Sequence, residues 1–247
     1  MKNPSADRVS RQRGPFGFPK ANGFTLTELM VVIVIIVVLA TISFLGANRM
    51  KAKAQSAVCA SNLRQVGMAM LAYTADNQNK LPPLAKIDPR TRKQSGIWTL
   101  VLARAGYLWD PETPGTPRLN EGVWACPGCT ESSNVTHMGY GIAEATVIQY
   151  DDRVSRANTR IGKTEFGSLR LTSIQNPSRT WLVGDAALEP DKLEGSWYAV
   201  WSNPSKWGGG HTPAARHGGK VNVCMVDGHV QSLTVDEVRE GNYTLDK

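Results

Sequence analysis

The sequence predicts an α+β fold: a long N-terminal α-helix spans a membrane with its first half and packs its second half on an antiparallel β-sheet head. Three observations predict it. Residues 29–45 read LMVVIVIIVVLATISFL, seventeen positions without a charge. Ala52, Cys59, Leu63, Val66, Met70 and Tyr73 then recur at the spacing of one helical face. Near the C-terminus, the strand-like runs 220–226 and 229–233 are joined by Asp227-Gly228, a pair that favours a type I′ hairpin turn. A chain of 247 residues that is 41% hydrophobic and 20% charged is neither disordered nor polytopic.

The net charge of +7 is concentrated at the start. Lys2, Arg8, Arg11, Arg13 and Lys20 face only Asp7 before residue 24, and the remainder carries an ordinary surface balance. A nucleic-acid partner is therefore not expected. The apolar run that follows is roughly 25 Å of helix. Counted from Phe24 it reaches 22 residues and about 33 Å, enough to cross a hydrocarbon core of about 30 Å. It is apolar all round, as a lipid-facing helix is, and longer than strands usually run. A cleaved secretory signal, cut near Leu45-Gly46-Ala47-Asn48, is the competing reading. The length of the run and the carboxylate of Glu28 inside its first turn oppose it, because a charge there is costly without a partner.

The residues that decide between these readings are Gly23-Phe24-Thr25-Leu26-Thr27-Glu28-Leu29, a basic leader ending in Gly, then Phe, then Glu fifth from that Phe. This resembles the prepilin signal of type IV pilins and type II secretion pseudopilins. The resemblance implies cleavage after Gly23 by a prepilin peptidase, N-methylation of Phe24 as the mature terminus, and a role for Glu28 in assembly. It also implies insertion in the bacterial inner membrane as a single pass, with the leader cytoplasmic and the head periplasmic, or extracellular after assembly. The partners it implies are like subunits in a filament and a secretion or pilus assembly platform. Cleavage there leaves the whole apolar helix on the mature chain and creates an α-amino group of pKa about 8 at the membrane edge. Glu28, about one helical turn away, is placed to pair with that amine or with a neighbour's, which fixes one axial register between helices.

Four segments follow: a cleaved leader over 1–23, a membrane half of the helix over 24–46, an amphipathic half over 47–79, and a head over 80–247. Pro82-Pro83 closes the helix region, since Pro cannot continue it. In the head, residues 97–105 read as a short helix, 111–117 as a turn-rich stretch, Val123-Trp124-Ala125 as a short strand before Cys126, and 180–185 as another strand. Cys59, Trp98, Cys126-Pro127 and, with nine residues between them, His217 and Asp227-Gly228 occur in an order that resembles pilin-like proteins with a C-terminal H-X9-DG motif. That resemblance spans most of the chain and implies a pilin-like fold without an assigned activity.

Among residues that can carry chemistry, Cys126-Pro-Gly-Cys129 is a CxxC without a second ligand pair nearby. Structural thiols or a disulfide (Cys126–Cys129, or Cys59–Cys126 tying helix to head), half of a metal site, and a redox-active pair are the readings it supports. His211, His217, His229, Asp185 and Asp227 can converge at the hairpin base. There His217 packing on the Asp227-Gly228 turn competes with a bound cation, Ca²⁺ through Asp oxygens, with Asp227 and His217 as the candidate metal residues. No cofactor is otherwise expected. Trp197, Trp201 and Trp207 sit in a Gly-, Ser- and Pro-rich stretch, as core anchors or as a recognition surface. No nucleotide-binding or hydrolase motif is present. The expected function is a non-enzymatic pilin-like subunit, with a surface-displayed minor pilin that binds glycan or protein, or a periplasmic thiol protein, as alternatives.

Overall fold

The computed structural model describes residues 23–87, 94–108, 122–129, 139–144, 170–190, 199–201, 203–241 and 243. The leader before Gly23, the 111–117 stretch and Trp197 lie outside them. The chain divides into two compact units, Met1–Gly46 and Ala47–Lys247.

In the first unit, α1 (Leu26–Asp76) begins with the apolar run. Residues Leu26–Phe44 have a mean hydropathy of 2.7 and are wholly unburied, so this stretch is long and apolar enough to cross a membrane. Thr41 and Ser43 return their hydroxyls to the carbonyls of Val38 and Leu39, which removes the cost of carrying them among apolar neighbours.

In the second unit, the same helix carries the predicted stripe. Cys59, Leu63, Val66, Met70 and Tyr73 are buried in the core, joined by Asn62, Ala69 and Thr74, whereas Ala52 is exposed. Packing on the head therefore starts about one turn later than the stripe suggests, where Gln55 reaches the Pro127 carbonyl and Ser56 meets Asn222. The helix ends at Asp76, ahead of the prolines. Gln78 and Asn79 take left-handed φ values of 58° and 60°, and the Asn79 N–H bonds the Thr74 carbonyl.

The head begins with a small hairpin, β1 (Ala85–Ile87) and β2 (Gln94–Ile97), leading into α2 (Trp98–Arg104), which buries Trp98 and Leu102. The main sheet consists of β3 (Tyr140–Glu144), β4 (Trp181–Ala187), β5 (Ala199–Trp201), β6 (Thr212–Pro213), β7 (Val221–Met225) and β8 (Val230–Leu233). Its order is β5-β3-β4-β7-β8, with β6 on the end of β4. All pairings are antiparallel except β3 with β5. The sheet is thus mixed, not purely antiparallel: β5 returns alongside β3 in the same direction. A last helix, α3 (Val235–Glu240), starts from a capping box between Thr234 and Glu237.

β4 is buried along its whole length, as a central strand covered on both faces must be. Gly184 within it makes room for its own neighbour. A Cβ there would lie 2.5 Å from the Trp181 ring and 2.9 Å from the Asn222 carbonyl. The Trp181 indole instead folds over the glycine and donates to the Gly141 carbonyl at 2.9 Å.

Two local expectations are corrected. Residues Gly122–Trp124 form a 3₁₀ turn rather than a strand. Asn62 on α1 donates to the carbonyls of Gly122 and Ala125, so this backbone is satisfied by the helix and needs no strand partner. The β7–β8 turn is a three-residue loop, not type I′. The Gly228 N–H bonds the Met225 carbonyl, the Met225 N–H bonds the His229 carbonyl, and only Gly228 has positive φ, at 88°. This is a type I turn closed by a left-handed glycine.

Candidate functional site

Two places carry the candidate residues. The first is the start of α1. Gly23 and Phe24 precede the helix and are exposed. Thr25 and Glu28 then form a reciprocal cap: the Glu28 N–H donates to the Thr25 hydroxyl at 3.2 Å, and the Glu28 carboxylate accepts from the Thr25 N–H at 2.8 Å and its hydroxyl at 2.7 Å. Two of the helix's otherwise unpaired N–H groups are satisfied in this way. The 23–24 peptide bond is left outside the helix. Glu28 therefore has an intrachain partner, Thr25, which its sequence position alone did not reveal.

The second place lies inside the head, where four elements bring one chemical group each. Cys59 comes from the helical face of α1, Cys126 from the turn after the Gly122–Trp124 segment, Asp185 from the centre of β4, and His217 from the turn before β7. One ligand-type atom from each lies within 4.8 Å of the other three, and all four residues are buried. The Cys59 thiol donates to Asp185 Oδ1 at 3.3 Å. His217 Nε2 lies 3.3 Å from Cys126 Sγ and 3.4 Å from Asp185 Oδ2. Around them, the Asn222 N–H donates to Asp185 Oδ2 at 2.9 Å, and Arg216 Nη1 stands 3.9 Å from Asp185 Oδ1. Arg216 is itself held by the carbonyls of Gly139 and Ala186.

These neighbours set the protonation of the cluster. Burial pulls the His217 ring down, but its hydrogen bonds to Asp185 and Cys126, and their charges, raise it to about 9. The neighbouring Cys59 side chain brings the Cys126 thiol down to about 7, against burial and the Asp185 charge and with help from His217 and Arg216. Burial, the Cys126 hydrogen bond and the Asp185 charge push the Cys59 thiol far up. An ion-paired, hydrogen-bonded group of this kind satisfies its own polar atoms, and its two sulfurs, one imidazole and one carboxylate are also a set of donors for a cation.

The other candidates fall elsewhere. Cys129 is not part of the cluster, although its N–H bonds the Cys126 carbonyl and closes the CxxC turn. Cys59, Cys126 and Cys224 are not joined in disulfides. Asp227 sits at the β7–β8 tip, half-exposed and 2.5 Å from His229 Nδ1, so the two ends of the H-X9-DG spacing serve different places: His217 the buried cluster, Asp227 and Gly228 the turn. His211 stacks on Trp201. Trp207 is buried, with its indole N–H on the Trp201 carbonyl, which makes it a core anchor. Arg216 and Asn222, which orient Asp185, carry no sequence signal beyond adjacency to His217 and to the β7 run.

Residues 19–44 match the family model described as a prokaryotic N-terminal methylation motif. No curated protein and no solved structure matches the chain significantly.

Proposed function

We propose that this chain is a prepilin-processed, membrane-anchored structural subunit. A prepilin peptidase cuts it between Gly23 and Phe24 and methylates Phe24, and the mature chain assembles with like subunits into a type II secretion pseudopilus or pilus-like filament. The leader faces the cytoplasm, and the head lies beyond the inner membrane. One observation carries the reading: the match to the methylation motif falls on the segment where an exposed Gly23–Phe24 bond precedes a capped helix with a long apolar run. A peptidase needs a scissile bond free of helical hydrogen bonding, and the Thr25–Glu28 cap starts the helix just past it. The chain's own chemistry in this reading is passive, with the cleavage, the methyl transfer and the energy for assembly coming from other proteins.

Intact-mass measurement of the chain purified from its own membranes tests this. The expected mass begins at methylated Phe24, and Gly23→Val leaves full-length precursor in the membrane, because a side chain at the cut no longer fits a pocket built for glycine. A mature terminus near residue 47 overturns the reading in favour of ordinary secretion.

A further inference from the structure

We infer that Cys59, Cys126, Asp185 and His217 form a structural binding site for one thiophilic divalent cation, Zn²⁺ before any other. The inference does not depend on how the N-terminus is processed.

The geometry is the first argument. Zn²⁺ binds thiolate at about 2.3 Å and imidazole or carboxylate at about 2.0–2.2 Å, usually in a tetrahedron. Ligand atoms at the corners of such a tetrahedron stand about 3.5 Å apart for sulfur with nitrogen or oxygen, and about 3.4 Å for nitrogen with oxygen. The observed separations are 3.3 Å for Cys59 Sγ to Asp185 Oδ1, 3.3 Å for Cys126 Sγ to His217 Nε2, and 3.4 Å for His217 Nε2 to Asp185 Oδ2. Each is within a few tenths of an ångström of such an edge, with Asp185 meeting Cys59 through Oδ1 and His217 through Oδ2. One ligand atom from each of the four side chains lies within 4.8 Å of the other three, so a small adjustment of the carboxylate is all that a common centre requires.

The donor set is the second. Two sulfurs and an imidazole favour Zn²⁺, whereas Ca²⁺ takes six to eight oxygens and Mg²⁺ an oxygen octahedron. With four protein ligands and none of them exposed, no open position remains for a substrate, which marks a structural and not a catalytic centre.

Charge is the third. Two thiolates and one carboxylate around Zn²⁺ leave one negative charge, and the buried Arg216 guanidinium 3.9 Å from Asp185 supplies the compensating positive one. The Asn222 N–H on Asp185 Oδ2 fixes the carboxylate from outside, as partners beyond the ligands do at established zinc sites. On binding, the remaining thiol protons of Cys59 and Cys126 and any second proton on His217 leave to solvent.

The full-length chain, purified in detergent without chelator, provides the test. The expected result is about one Zn²⁺ per chain by mass spectrometry of the metal. After chelation and re-addition of Co²⁺, the visible spectrum shows tetrahedral d–d bands and thiolate-to-cobalt charge transfer for two sulfurs. Cys59→Ser loses the stoichiometric metal, while Cys129→Ser and Cys224→Ser, which alter thiols outside the cluster, keep it. The Co²⁺ titration of the wild-type chain stands on its own if Cys59→Ser does not fold. A reduced wild-type chain that takes up no stoichiometric Co²⁺ overturns the inference. So does a Cys59–Cys126 disulfide in chain alkylated directly from native membranes, and so does metal that follows Cys129 instead of Cys59.

Discussion

Glu28 does two jobs that a substitution can separate. Its carboxylate closes the cap with Thr25, and in the proposed assembly its charge pairs with a neighbouring subunit's terminal amine. Glutamine also serves at the third position of a capping box, so Glu28→Gln keeps the cap and removes only the charge. The expected outcome is normal membrane insertion, normal cleavage after Gly23 and loss of filaments, read as monomer accumulation and missing crosslinked ladders after shear. Glu28→Ala removes cap and charge together and frays the first turn as well. Normal assembly of the Gln variant shows that the cap, not the charge, is what Glu28 provides. This residue was legible in the sequence as a costly intramembrane carboxylate, but its Thr25 partner was not, because a Thr three residues upstream looks like any other polar residue until the helix start is fixed. The buried cluster was legible only in pieces. A separation of 126 residues between Cys59 and Asp185, and of 91 between Cys126 and His217, leaves no local spacing to read, and the short CxxC spacing drew attention to Cys129 instead.

At the scale of elements, the long helix approaches the sheet closely at Gly67. A Cβ there would lie 2.4 Å from Cys224 Sγ on β7 and 3.8 Å from Leu182 on β4. Mid-helix glycine costs about 1 kcal/mol relative to alanine, and the close contact is what that cost allows. Gly67→Ala is therefore expected to destabilise despite its better helix propensity, by about 1–3 kcal/mol of overpacking less that gain. In Cys224→Ala the sulfur is gone and the new methyl group takes part of its space. The double variant should then be more stable than the sum of the two singles by roughly 0.5–3 kcal/mol, measured as thermal unfolding in a double-mutant cycle. Simple additivity would show that helix and sheet adjust freely at this contact. The elements that the sequence revealed, α1, β4 and the β7–β8 hairpin, each carry a periodic or turn signal within one segment. The parallel pairing of β5 with β3 has no such signal: residues 199–201 are too short to show alternation, and strand direction is decided by the connection between them. The 3₁₀ turn at Gly122–Trp124 looks like a strand in sequence because β-branched and aromatic residues favour one, while its backbone is satisfied by Asn62 from the helix.

For the whole molecule, the division at Gly46 has an energetic meaning. Among the described residues, the buried hydrophobic ones all belong to the unit Ala47–Lys247, and the apolar residues of Leu26–Phe44 are all exposed. In the proposed assembly the partners of Leu26–Phe44 are lipid and other anchors. Beyond residue 47 the exposed large apolar side chains among the described residues are Met50, Val58, Met68 and Leu188, scattered rather than gathered in a patch that would drive association. A fragment starting at Ala47 is accordingly expected to stay in solution without detergent and to unfold at the same temperature as the head of the full-length chain, within about 2 °C. It should also retain the near-ultraviolet signature of buried Trp98, Trp124, Trp181 and Trp207. Differential scanning calorimetry and near-ultraviolet circular dichroism on both forms check this. A fragment that aggregates, or that melts well below the full chain, would mean that the first half of α1 holds the second half in place, and that the helix, not the head, is the folding unit. Equal melting would show that the head folds and holds its share of α1 without the apolar half.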